Sequence, residues 1–84
     1  MLTILYFARL KESLGTAKED LPLPQDATTI QGLMQHLAAR GEVWQQEFDG
    51  CRLIRAAINQ ELVPNAASFK DGDEIAFFPP VTGG

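Results

Sequence analysis

The chain has 84 residues, 45% hydrophobic and 21% charged, the composition of one globular domain; it excludes both a disordered chain and a second domain. Eleven acidic against seven basic residues give a formal net charge of −4. That is the wrong sign for a surface that must neutralise phosphates, so a basic patch on a partner protein is a better match than nucleic acid.

Residues 1–9 read as a strand, rich in β-branched and aromatic side chains. Leu2, Ile4, Tyr6 and Ala8 fall on one face, Leu5 and Phe7 on the other, so both faces are apolar and the strand is central or covered. Residues 10–14 form a helical turn ended by Gly15. Residues 17–23 read as a second strand, restricted to an edge by Pro22 and Pro24.

Residues 28–40 carry the main helix: Ile30, Leu33, Met34 and Leu37 recur at i, i+3, i+4 and i+7. Thr28 and Gln31 have capping-box spacing, and Gly41 suits a left-handed stop. Gly32, inside the helix, predicts close packing. Residues 43–48 read as a short helix returning Trp44 and Phe48 to the core. Residues 53–59 alternate as a strand, Asn59-Gln60 turns the chain, and residues 61–63 form a short strand stopped by Pro64. Asp71-Gly72-Asp73 is a turn. Residues 74–78 form the last strand, with Ile75 and Phe77 against Ala76 and Phe78, and Pro79 and Pro80 end it.

One main helix must then cover one face of a mixed sheet of four to five strands. That α+β layout is the one expected of a β-grasp, or ubiquitin-like, domain over residues 1–79, followed by an extended tail over residues 80–84 ending in Gly-Gly; other small α+β arrangements fit the same order of elements.

The usual catalytic signatures are missing. There is no Walker loop and no G-x-G-x-x-G fingerprint. His36 is the only histidine and reads as a boundary residue of the helix. Cys51 is the only cysteine; it can close no intramolecular disulfide and build no zinc cage, which fits a reducing cytoplasm. It has no visible base beside it and reads as structural. Asp71, Asp73 and Glu74 read as turn chemistry on a solvated surface, since a calcium-binding loop is missing. No bound cofactor or metal is expected. No apolar run reaches the roughly 18–20 residues of a membrane span, and no leader pattern opens the chain.

The remaining feature is Phe77-Phe78-Pro79-Pro80-Val81-Thr82-Gly83-Gly84. Two prolines stiffen the exit from the sheet, and two glycines finish a thin arm able to extend about 20 Å. This block, preceded by Asp71-Gly72-Asp73-Glu74, closely resembles the C-terminus of the molybdopterin synthase small subunits, the sulfur carriers of molybdenum cofactor synthesis. The likeness extends to Leu5-Tyr6-Phe7-Ala8, the main helix and Ala57-Ile58-Asn59-Gln60.

The resemblance implies a mechanism. A ubiquitin-activating-like adenylyltransferase uses ATP to adenylate the terminal glycine, Gly84. A sulfur donor protein then replaces AMP, leaving a thiocarboxylate. The tail enters the large synthase subunit and gives its sulfur to a cyclic pyranopterin monophosphate. The small subunit then needs no catalytic machinery of its own, whether or not it is counted as part of a sulfurtransferase enzyme. Gly83 and Gly84 are needed because a β-carbon would widen the threading arm. Pro79, Pro80, Val81 and Thr82 lie along the arm. Phe7 and Phe78 are expected to form an apolar docking patch, extended by Leu62, since the strand neighbours of the two phenylalanines face inward. A heterotetramer of two small and two large subunits is implied. Competing readings are a sulfur carrier for another pathway, such as thiamine thiazole synthesis; a ubiquitin-like modifier joined to lysines through Gly84; and an interaction module with an inert tail.

Overall fold

Alternation decides which side chains of the first strand enter the core. In β1 (Leu2–Tyr6), Leu2, Ile4 and Tyr6 are buried, while Thr3 and Leu5 stay half-buried on the opposite face. The structure is a computed structural model that describes residues 1–48 and 54–80. β1 ends at Tyr6, short of the expected residue 9, because Ala8 turns to φ 55° and opens α1 (Arg9–Leu14). Gly15 closes that helix in the left-handed conformation, its N–H bonded to the Lys11 carbonyl. The edge strand β2 (Lys18–Leu21) then runs antiparallel to β1, with Leu5 opposite Lys18.

Helix α2 (Ile30–Ala38) buries Ile30, Leu33, Met34 and Leu37. Its cap is Thr29, not Thr28: the Thr29 hydroxyl accepts the Gly32 N–H at 3.1 Å. The chain stays extended through Thr29, which bridges Ser68, while the Thr28 carbonyl accepts the Phe69 N–H. The helix therefore starts one residue later than the capping-box spacing suggests. A Cβ on Gly32 would lie 3.3 Å from the Cβ of Ala27 and 3.4 Å from the Thr29 hydroxyl, which accounts for a glycine inside the helix. Gly41 is not a left-handed stop. Ala39 ends the helix in the right-handed region, and the Gly41 carbonyl accepts the Gln45 N–H at 2.8 Å, beginning the next helix.

That helix, α3 (Glu42–Phe48), packs against α2 and completes a layer of three helices rather than one. Phe48 enters the core, with Trp44 packed against it. Strands β3 (Arg55–Ile58) and β4 (Glu61–Val63) form a hairpin. Asn59 and Gln60 turn it with φ of 51° and 70°, the left-handed pair that a two-residue hairpin of matching twist requires. Residue 53, the expected start of β3, and Cys51 lie outside the described residues.

Strand β5 (Glu74–Phe78) lies at the centre, parallel to β1 and antiparallel to β3, giving the order β2-β1-β5-β3-β4. This mixed sheet with helices on one face is the β-grasp fold. Gly72, at φ 91°, makes the turn into β5. Asp73 corrects the expectation of a solvated acidic cluster. It is buried, its carboxylate accepting from the Lys70 N–H at 2.9 Å and the Asn59 carboxamide at 3.1 Å. Among the described residues no helix is long and apolar enough to cross a membrane.

Between sheet and helices, Tyr6, Phe48 and Phe77 pack ring to ring, with Trp44 against Tyr6 and Phe48. Tyr6 carries a polar tip into this core, and its hydroxyl donates to Glu19 at 2.9 Å. Glu19 in turn accepts both guanidinium nitrogens of Arg40, at 2.7 and 2.8 Å. Arg40 lies 4.7 Å over the Trp44 ring. This chain ties the β2 edge to the far end of α2.

Candidate functional site

The sheet leaves one face without helices, and that face collects the apolar residues whose strand neighbours point into the core. The register sets Lys18, Leu5, Ala76, Ala57 and Leu62 in one row across all five strands. The next row holds Phe78 opposite Arg55. Carried one residue past the β1–β5 pairing, the same register places Phe7 beside Phe78, with the Phe7 N–H bonded to the Phe77 carbonyl at 3.1 Å.

Phe7 is 48% exposed and Leu62 57% exposed, large apolar groups left in water. Phe78 is half-buried beside them. Arg55, Leu62, Phe78 and Pro80 line a shallow depression. Leaving Leu- and Phe-sized side chains in water forgoes about 1.5–3 kcal/mol each relative to burial. Clustered exposure of this kind is a feature of surfaces that meet a partner.

The chain leaves the sheet at this same end. Pro79 and Pro80, both half-buried, follow β5 directly and can donate no ladder hydrogen bond. Val81, Thr82, Gly83 and Gly84, the rest of the expected arm, lie outside the described residues. The structure therefore brings together Phe7, Leu62, Phe78 and the proline exit on one face.

Other polar groups are occupied locally. His36 Nδ1 lies 3.2 Å from an Asp26 carboxylate oxygen. Arg9 Nε lies 3.5 Å from Glu47, whose carboxylate is buried. The N-terminal amine pairs with Asp71 and holds that carboxyl below its usual range. The Arg40 hydrogen bond holds Glu19 below the carboxylate range, while burial, then Glu19, pushes the Tyr6 phenol up. Among the described residues no three His, Cys, Asp or Glu side chains gather to hold a metal ion.

Two features escape the linear pattern. Tyr6, Glu19 and Arg40 meet only through tertiary structure. Nothing in the alternation of residues 53–59 singles out Arg55, and only the register shows it opposite Phe78.

Comparison with known proteins places the chain by sequence and fold. The chain is 43% identical to the molybdopterin synthase sulfur carrier subunit of Haemophilus influenzae and 42% identical to that of Escherichia coli, covering all of each chain. Its fold matches the crystal structure of small archaeal modifier protein 1 of Haloferax volcanii with a TM-score of 0.75 at 25% identity, covering 95% of this chain and 97% of that one. The family model that matches is that of the ThiS family, over residues 4–84, and the chain belongs to it.

Proposed function

We propose that this chain is the sulfur-carrier subunit of a molybdopterin synthase. The observation that carries the reading is end-to-end identity of 43% with a relative of that name. The apolar face beside the tail exit supports it, because a carrier must be held while its arm reaches into other proteins' sites.

In this reading the Gly84 carboxylate attacks the α-phosphate of ATP on an adenylyltransferase and displaces pyrophosphate. A carboxylate is a poor electrophile, and the acyl-adenylate removes that obstacle by making AMP the leaving group. A sulfur donor protein then delivers sulfide-level sulfur to the acyl carbon, AMP departs as the leaving group, and a thiocarboxylate remains. Docked on the large subunit, the arm presents this sulfur to a cyclic pyranopterin monophosphate, and two rounds build the dithiolene. The role of the folded domain is positional: the face bearing Phe7, Leu62 and Phe78 fixes where the arm begins.

Intact mass of the chain from its native cell tests the reading. Replacement of one oxygen by sulfur at Gly84, with conversion of the pterin when the chain is mixed with the large subunit, is the expected result. A thiocarboxylated chain that supports no pterin conversion would move the assignment to a carrier of another pathway. The likeness to a modifier protein favours a second reading, attachment to lysines through Gly84. Isopeptide adducts with no thiocarboxylate would establish that reading instead.

A further inference from the structure

Arg55 is the charged member of the apolar end of the open sheet face. It lies opposite Phe78 in the β3–β5 register and borders the depression shared with Leu62 and Pro80. Strand alternation forces it outward, since Ile54 and Ala56 are buried on either side. It is exposed, and the four ion pairs among the described residues use the N-terminus, Arg9, His36 and Arg40 instead.

Docking this face takes water from Phe78 and Leu62, and Arg55 between them loses water as well. A guanidinium cannot shed its proton to escape that cost, so it must be given an acceptor. The chain's net charge of −4 favours partners that are basic overall, which would repel Arg55 unless an acidic group stands locally against it. The planar fork of arginine fits a carboxylate through two parallel hydrogen bonds.

We propose that Arg55 selects the docked partner by pairing with an aspartate or glutamate side chain set beside the apolar pocket that receives Phe78. The inference rests on the docking reading of this face. It adds a polar pin that sets orientation and disfavours surfaces with an apolar or basic group at that point.

The test is the dissociation constant between the intact chain and the purified large synthase subunit, by calorimetry, for the parent, Arg55→Met, Arg55→Lys and Phe78→Ala. Methionine keeps the length and apolar stem while removing the charge. Arg55→Met is expected to weaken binding about tenfold or more, because the partner's carboxylate is left unpaired. Arg55→Lys should recover part of the loss, and the free variants should melt with the parent. If Arg55→Met binds as tightly or more tightly, the charge was merely desolvated and the proposal fails. A lysine variant no better than methionine also overturns it. Unchanged binding by Phe78→Ala separately removes the docking face itself.

Discussion

Tyr6 and Phe77 stand opposite each other in the parallel pair of β1 and β5, their rings stacked with centroids 6.4 Å apart. Each is followed by a phenylalanine on the opposite face, Phe7 and Phe78. One step along either strand therefore separates a residue that holds the fold from one on the open face, which in the proposed function meets the partner. Phe77→Ala should cost about 3–5 kcal/mol, enough to unfold much of a small domain at physiological temperature. Phe78→Ala should leave the melting temperature nearly unchanged and weaken binding to the large subunit by about tenfold or more. Paired melts and titrations check this, and the reverse pattern would mean that the faces have been assigned the wrong way round.

Much of this arrangement is legible in sequence, because it is carried by short periods. Leu2, Ile4 and Tyr6 alternate; Ile30, Leu33, Met34 and Leu37 follow the helical repeat; and the structure places both sets in the core. The errors arise where a tertiary bond outweighs a local rule. Thr28 has capping spacing, but its carbonyl is taken by Phe69, so Thr29 caps instead. Asp73 looks like a solvated turn residue, but the Asn59 carboxamide and the Lys70 N–H bury it. The pair of Phe7 and Phe78 follows from alternation, whereas the places of Leu62 and Arg55 need the register of β3 with its two neighbours.

Asn59 joins the hairpin to the central strand. Its carboxamide donates to Asp73 and accepts the Glu74 N–H at 3.0 Å, while its own N–H bonds the Glu74 carbonyl at 2.7 Å. It also tolerates the left-handed backbone better than most side chains. Asn59→Ala leaves the buried Asp73 carboxylate short of a donor and puts alanine at positive φ. A loss of about 2 kcal/mol is expected in urea unfolding. A loss below half that would show that water replaces the carboxamide.

The Tyr6–Glu19–Arg40 chain predicts opposite responses at the two ends of the pH scale. Arg40 lowers the Glu19 pKa on folding. That stabilisation is present above the unfolded value of about 4.3 and is lost as pH falls through the lower folded value. Burial and Glu19 raise the Tyr6 pKa above its ordinary 10.0. That contribution is complete below the ordinary value and is lost as pH rises toward the folded one. Glu19→Gln should therefore flatten the acid side of the melting profile below about pH 4.5, and Tyr6→Phe the alkaline side above about pH 10. Each should cost about 1 kcal/mol at neutral pH, a modest figure because Glu19 and Arg40 are partly in water. Parallel profiles for parent and Glu19→Gln would assign the acid transition to other carboxylates.

Gly83 and Gly84 carry the chemistry in the proposed reaction while contributing no side chain to the core. A methyl group at either position widens an arm that must enter two unrelated sites, the adenylyltransferase and the large subunit. Gly84→Ala also crowds the acyl carbon that the sulfur donor attacks. Both variants should melt with the parent and bind the large subunit through Phe7, Leu62 and Phe78 with little change. Each should lower adenylation or sulfur transfer by about tenfold to a hundredfold, since a small misplacement of reacting atoms has a cost of that order. Pyrophosphate release separates the first step from the second, and pterin conversion reads the whole sequence. Full activity of either variant in the reconstituted system would show that the arm is not threaded closely, and would remove the reason given for a glycine pair.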